Sequence, residues 1–359
     1  MKAIPALLLL AACASTAPPP RSEVRALMAK EAIPGMSVAV AVDGRIVWSE
    51  GFGFADLEQS VPASGTTRYR LGSVSKLFTA AIAARLAERK VLDLDAPIQQ
   101  YLPDFPQKQA PITPRQLLGH TSGIRHYRDA DPVFAGKRYA SLEDALSIFR
   151  DEPLLFTPGT AYGYSSYGYN LLGVLIEKAT HRSYGANLQD EVAGPLQLTS
   201  VTLDEPALVI PERAAFYEKS KAGAIENAAP NDSSYKWSSA GVLSSAEDLV
   251  RFGSALLQPG FLRQSTLDQM FTPQTLADGK KTNVGLGWRI DTAPDGTRYY
   301  HHGGTISGGR SFILMLPKER VAVAMLTNML VRFDQAEALA LARHFTSSAP
   351  PSAAATPRR

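Results

Sequence analysis

The sequence predicts a mixed α+β fold. An antiparallel sheet is drawn from both ends of the chain and flanked by helices, with a mostly helical section inserted between its halves. Three observations predict it. Val-rich and aromatic runs joined by tight-turn dipeptides lie near both ends. Between about residues 92 and 230 the text is mostly short helical stretches cut by Pro and Gly. Helical patterns stand just inside each end. Strands, then helices, then strands is not the alternation that builds a parallel α/β sheet.

In chain order, Ser22 to Ile33 reads first, as a helix with a serine N-cap. Met36 to Asp43 is an apolar run, Asp43-Gly44 a turn signal, and Arg45 to Glu50 a second strand, so together they predict a hairpin. Ser73 to Arg89 is Ala/Leu-rich with polar residues on one side, which predicts a helix. Leu142 to Arg150, Tyr167 to Thr180 and Glu247 to Leu257 read as further helices. Strand character returns at Val284 to Asp291, Arg298 to His301, Ser311 to Leu316 and Val321 to Asn328, with a turn at Asp295-Gly296. Asp334 to Phe345 predicts a closing helix.

Composition removes several function classes. At 45% apolar and 20% charged over 359 residues, the chain has sequence enough for a real core. The net charge is +3, from 37 basic and 34 acidic residues. Lys2, Arg358 and Arg359, at the two ends, account for the whole excess. With no run of five basic residues, a nucleic-acid partner is disfavoured. A single cysteine allows neither an internal disulfide nor a Cys-based zinc site.

The start, M-K-A-I-P-A-L-L-L-L-A-A-C, has one basic residue and a short apolar stretch. It is too short to cross a bilayer of about 30 Å as a helix, and it suits a cleavable signal. Leu10-Ala11-Ala12-Cys13 resembles the bacterial lipobox, in which cleavage precedes a lipidated cysteine. An ordinary signal peptide with an incidental cysteine is the alternative. The expected organisation is a signal at 1–12, a Pro-rich tether at 13–21 from lipidated Cys13, one domain at 22–346, and a disordered tail at 347–359. Such a protein sits in the bacterial cell envelope. Ala14 is not the aspartate of an inner-membrane retention signal, so the outer membrane facing the periplasm is expected.

Ser73-Val74-Ser75-Lys76 is an S-x-x-K tetrad at a helix start. Positions i and i+3 share a face, so the lysine reaches the hydroxyl. The positive end of the helix disfavours a charged lysine and favours a developing oxyanion, and a neutral lysine can act as a base toward serine. Ser233-Ser234-Tyr235-Lys236 has the same spacing but no long Ala/Leu helix behind it, and reads as a decoy. No G-x-S-x-G elbow, P-loop, dinucleotide fingerprint or H-E-x-x-H pair occurs. His120 and His126 fit no metal-ligand spacing; His120 is assigned to packing and hydrogen bonding. Asp93 and Asp95 read as caps and solvated turns. No cofactor and no metal are expected.

Around the first tetrad lie Tyr69-Arg70-Leu71-Gly72, then Leu117-Leu118-Gly119-His120-Thr121-Ser122-Gly123, Phe156-Thr157-Pro158-Gly159, Tyr164-Ser165-Ser166, and late His301-His302-Gly303-Gly304. As a set, in this order, the chain resembles the serine β-lactamase-related hydrolases, the superfamily of class C β-lactamases, D-alanyl-D-alanine carboxypeptidases and related esterases. The likeness runs from about residue 22 to 345. It implies a β-lactamase/transpeptidase-like fold, Ser73 as nucleophile, Lys76 as its basic partner, and Tyr164 as general base and acid. It further implies Ser166, His301 and Gly303 as substrate-binding positions, with backbone N–H groups of Ser73 and Gly304 as oxyanion hole. A phenol of pKa about 10 is a poor base in water; beside the Lys76 ammonium its phenolate is favoured. Tyr162, Tyr167 and Tyr169 read as packing aromatics.

Two positions depart from the family pattern. Ser166 stands where Tyr-x-Asn has asparagine, and His301 where Lys-Thr-Gly has lysine. A histidine, with an ordinary pKa of about 6.5, is mostly uncharged at neutral pH and holds a carboxylate less strongly than an ammonium. The expected substrates are therefore esters, small amides or peptides, taken through a Ser73 acyl-enzyme. A D-alanyl-D-alanine carboxypeptidase or β-lactamase is the alternative within enzymes. A non-catalytic envelope binding lipoprotein is the rival from another class, and the presence of Ser73, Lys76 and Tyr164 together argues against it.

Overall fold

The computed structural model describes residues 18–131 and 137–346. The expected signal peptide, the lipidation site Cys13 and the C-terminal tail lie outside those residues. Helix α1 (Arg21–Glu31) opens the domain, followed by β1 (Gly35–Val42), β2 (Arg45–Asp56), β3 (Val61–Pro62) and β4 (Tyr69–Arg70). Then come α2 (Ser75–Glu88), α3 (Pro114–Leu118), α4 (Ser166–Thr180) and α5 (Tyr184–Leu188). Short strands β5 (Thr202–Leu203), β6 (Tyr217–Lys219) and β7 (Ile225–Asn227) lead to α6 (Trp237–Ala240), β8 (Val242–Ser244), α7 (Ala246–Ala255) and α8 (Gln264–Met270). The chain closes with β9 (Arg289–Thr292), β10 (Arg298–Ile306), β11 (Gly309–Leu316), β12 (Val321–Thr327) and α9 (Gln335–Thr346).

The main sheet runs β3-β2-β1-β12-β11-β10-β9. Its two halves come from opposite ends of the chain and meet at the antiparallel pair β1·β12, with Val38 opposite Met325. Alternation of side chains along each strand sorts the sheet into two faces. Met36, Val38, Val40, Leu314, Val323 and Met325 pack with α1 and α9. Ala39, Ala41, Ile313, Met315, Ala322 and Ala324 face the core around α2, α4 and α7. Small alanines on that side let the helices approach closely. Phe78 of α2 stacks on Phe252 of α7 at 4.3 Å.

Helix α2 departs from the expected pattern of one polar side. Ser75 to Ala84 are all buried, as is Leu86, so the helix is enclosed on every side. Burying Leu77, Phe78, Ile82 and Leu86 contributes about 1.5–3 kcal/mol each. Its polar residues are tied by hydrogen bonds: the Val242 N–H donates to Ser75 Oγ at 3.1 Å, and Thr79 Oγ1 donates to the Ser238 carbonyl at 2.6 Å. These bonds lock α2 onto the α6–β8 segment.

Other elements shift. The first helix begins at Arg21 after Pro20, and no side chain caps it, so Ser22 is not the cap. Residues 142–150 form a 3₁₀ turn at Asp144–Ile148. The strand expected from Val284 starts only at Arg289, because Gly285 and Gly287 fold the segment before it against Met270 and α2. The inserted section holds α3, α4 and α5 but also three short strands and long irregular stretches.

Candidate active site

Ser73 lies in a 3₁₀ turn, Gly72–Val74, that runs directly into α2. Gly72 has φ +51°, and a Cβ there would lie 2.8 Å from the Thr305 nitrogen. A Cβ on Gly304 would meet the Leu71 carbonyl oxygen at 1.9 Å. Glycine at both places is what lets β10 press its backbone against the Ser73 turn.

One turn on, Lys76 is fully buried. Its Nζ donates to Ser73 Oγ at 3.1 Å, Ser166 Oγ at 3.0 Å and the Ser239 carbonyl at 2.9 Å. An ammonium has three N–H donors, and all three are used. Burial holds the Lys76 pKa below its ordinary value. The Tyr164 hydroxyl donates to Ser73 Oγ at 2.8 Å. Burial pushes the Tyr164 phenol up, but the Lys76 charge, hydrogen bonds to Lys76 and Ser73, and the Arg289 charge outweigh it, leaving it below the ordinary phenol range. Ser73 Oγ thus stands between two groups whose pKa values are both held below their ordinary ranges, which eases proton exchange with it.

Two imidazoles hold the Tyr164 segment. The Ser165 N–H donates to His120 Nδ1 and the Ser166 N–H to His126 Nδ1, both at 3.2 Å. Ser165 caps α4 by accepting the Gly168 N–H at 2.9 Å. Both histidines must be neutral at Nδ1 to accept. Burial, then the Lys76 charge, keeps His120 well below its ordinary pKa and lowers His126 to about 4. The His120 ring packs on Tyr164 at 4.4 Å, the packing and hydrogen-bonding role expected for it. Tyr169 and Tyr167 are buried and donate to Leu118 O and Asp131 Oδ2, whereas Tyr162 stands 36% exposed. Asp93 Oδ1 accepts the Asp95 N–H, and Asp95 pairs with Arg115.

Ser73, Tyr164, Ser166, His301 and Gly303 line one cleft of about 740 Å³, together with His126, Lys236, Arg289, His302 and Thr305. Within it the structure corrects two expectations. His301, though it lines the cleft, turns its ring away from Ser73 and Tyr164. Its Nε2 donates to Asp291 Oδ2 at 2.7 Å and its ring stacks on Phe312, on the α1/α9 side of the sheet. Alternation along β10 turns the next residue the other way, and the His302 ring lies 6.5 Å from Tyr164. Gly303, one further, points back toward Arg310 and Phe312. The second correction concerns Gly304. The β10–β11 hairpin closes with Ile306 opposite Gly309. Hydrogen-bonded and non-bonded pairs alternate from there, so Gly304 spends its N–H on Ser311 in the ladder. Thr305 turns its N–H outward, against the Ser73 turn.

His302 is kept well below its ordinary pKa by burial and then Lys76. Its Nδ1 donates to the Gly303 carbonyl at 2.8 Å, so Nε2 carries a lone pair. Sequence reading missed His126, Arg289, His302 and Thr305, and set Lys236 aside. His302 stood inside the His301-His302-Gly303-Gly304 motif, His126 was weighed only as a metal ligand, and the second S-x-x-K spacing pointed to Lys236; nothing pointed to Arg289 or Thr305.

Comparison with known proteins agrees with this geometry. The family model described as Beta-lactamase matches residues 21–346. The human mitochondrial serine β-lactamase-like protein LACTB is 30% identical over 80% of this chain and 69% of its own length. Among solved structures, a D-stereospecific amidohydrolase from Streptomyces sp. superimposes with a TM-score of 0.77. It is 28% identical, over 90% of this chain and 98% of that one. A β-lactamase/D-alanine carboxypeptidase from Pseudomonas syringae shares the fold alone, with a TM-score of 0.75 and 20% identity over 92% and 98% of the two chains. A match continuous from the first helix to the last, with a buried lysine and a tyrosine converging on one serine, makes this chain a member of the β-lactamase family of serine hydrolases.

Proposed function

We propose that the protein hydrolyses esters and small amides or peptides through a Ser73 acyl-enzyme. The observation that carries this reading is Ser73 Oγ held at 3.1 Å from Lys76 Nζ and 2.8 Å from the Tyr164 hydroxyl. With Tyr164 as phenolate beside the Lys76 ammonium, the Ser73 proton passes to Tyr164 as Oγ attacks the substrate carbonyl. The oxyanion accepts the N–H groups of Ser73 and Thr305. Tyr164 then returns the proton to the departing oxygen or nitrogen, and the acyl group stays on Ser73. Water, losing a proton to Tyr164, attacks the acyl carbon; Tyr164 passes that proton to the departing Ser73 Oγ, which releases the acid and free Ser73 and leaves Tyr164 a phenolate again. Ser166 supports the cycle by holding Lys76 Nζ, a task open to a serine as well as to the asparagine of the family pattern.

Esters rank above β-lactams in this reading. A neutral His302 with a bare Nε2 offers no charge to a carboxylate where the family pattern has the lysine of Lys-Thr-Gly. The test is a panel of nitrophenyl esters, D-amino-acid amides, D-alanyl-D-alanine peptides and a chromogenic cephalosporin, run on wild type and Ser73→Ala. Covalent mass from a fluorophosphonate probe, present in wild type and absent in Ser73→Ala, supports the acyl-enzyme. Cephalosporin turnover far above that of the esters reverses the ranking. An unlabelled, inert protein favours a binding module.

The place of action we propose is the bacterial cell envelope, on a lipid carried by Cys13. Labelling of wild type but not Cys13→Ser with an alkyne fatty acid tests it.

A further inference from the structure

The second S-x-x-K copy ends in a lysine that the reaction above does not use. Lys236 is 7% exposed and lines the Ser73 cleft. Its Nζ donates to Asn231 Oδ1 at 2.9 Å and lies 4.9 Å from the centre of the Tyr235 ring. No carboxylate among the described residues is within ion-pair distance of it. Two carboxylates face it electrostatically, Asp204 and Asp232, and both are engaged elsewhere. Asp204 pairs with Arg70 at 2.7 Å and with Arg213 at 3.5 Å. Asp232 accepts the Ser234 N–H at 2.8 Å and pairs with Arg138 at 3.6 Å.

A buried ammonium with one neutral acceptor and no counter-charge is costly to maintain. Within a substrate cleft, that cost is offset when a bound molecule supplies the missing charge. Across the cleft, His302 presents a lone pair, which repels a carboxylate. Lys236 therefore offers an anion the cationic contact that is missing where the family pattern has the lysine of Lys-Thr-Gly, from a different wall.

Resting on the hydrolase reading above, we propose that Lys236 is an anion-binding residue of the Ser73 cleft. The substrates favoured are then esters or amides that carry a carboxylate. A charge-assisted hydrogen bond in a desolvated site discriminates by roughly tenfold or more in affinity.

The experiment compares kcat/KM for two matched pairs. One pair is the 4-nitrophenyl monoester of glutaric acid against 4-nitrophenyl valerate. The other is 3-carboxy-4-nitrophenyl butyrate against 4-nitrophenyl butyrate. Wild type is expected to prefer the anionic member of at least one pair by about tenfold. In Lys236→Met that ratio should collapse toward one, and in Lys236→Arg it should persist. A purely structural lysine would change both members of a pair alike and leave the ratio unmoved, which overturns the proposal. So does a preference retained in Lys236→Met but lost in Arg289→Met.

Should Lys236→Met not fold, wild type alone still decides. Glutarate at constant ionic strength should inhibit neutral-ester hydrolysis competitively where glutaramide does not, and equal effects of the two refute the idea. Ser73-dependent hydrolysis without anionic preference overturns this proposal alone, while absence of any such hydrolysis overturns the hydrolase reading beneath it.

Discussion

The chain carries the same four-residue spacing twice, and the two copies fold into different things. In Ser73-Val74-Ser75-Lys76 the lysine Nζ reaches its serine at 3.1 Å. In Ser233-Ser234-Tyr235-Lys236 it reaches Asn231 instead, and Ser233 Oγ accepts the Asn231 side-chain N–H at 2.8 Å. Both lysines are buried, yet among the described residues the first uses all three donors and the second only one. The helix behind each copy explains the contrast. The first runs into a 14-residue helix whose first turn directs Lys76 back along the Ser73 face. The second runs into a four-residue helix, with Lys236 just before it at φ −137°. The spacing brings lysine onto serine only where a regular helix enforces it.

The sharpest way to break this comparison is to delete each serine. Ser73→Ala should remove hydrolysis by at least about 10³-fold, as loss of a nucleophile does in other acyl-enzyme systems. Ser233→Ala should stay within the same order of magnitude as wild type in ester turnover. Comparable losses from the two variants would dissolve the distinction.

Tyr164→Phe is expected to lower kcat by about 10²–10⁴-fold with folding retained, the usual worth of a general base and acid. Wild-type kcat/KM should rise with pH along a limb placed below pH 10, because the Tyr164 phenol sits below its ordinary range. A limb at or above 10, or near-normal rates in the phenylalanine variant, would take Tyr164 out of the reaction.

Ser166→Ala tests a smaller term. It removes one of the three bonds that fix Lys76 Nζ. Loss of one hydrogen bond to a charged group is worth about 1.5–3 kcal/mol, and a kcat decrease of about tenfold is expected with KM little changed. Unaltered kcat would mean that Ser73 and the Ser239 carbonyl hold Lys76 by themselves.

The mildest effect concerns pH and stability. The folded chain keeps His126 neutral down to about pH 4, whereas its unperturbed value is 6.5. Between those values the unfolded chain binds the extra proton and the folded one does not. Stability is therefore complete above about pH 6.5 and declines as pH falls toward 4, with His120 and His302 adding in the same direction. Thermal melts from pH 8 to 4 should show this decline, and His126→Gln should flatten part of it. A melting temperature that is level or rises toward pH 4 contradicts the assignment of neutral imidazoles.

What the sequence by itself determined is local. Val-rich apolar runs joined by tight-turn dipeptides named both halves of the sheet, and the i, i+3 geometry of a helix start joined Ser73 to Lys76. The order of the motifs then placed Tyr164 in the same site. The surroundings of that pair were decided by tertiary structure. Lys76 meets Ser166 across 90 residues of chain and the Ser239 carbonyl across 163. His302 rather than His301 turns its ring toward Tyr164, and Thr305 rather than Gly304 offers its N–H, because one hairpin closes at Ile306 and Gly309. A strand's composition shows that its side chains alternate, but not which face meets the core. That parity is set by the turn and by the neighbouring strand, where a shift of one residue exchanges every side chain and every hydrogen bond between the two faces.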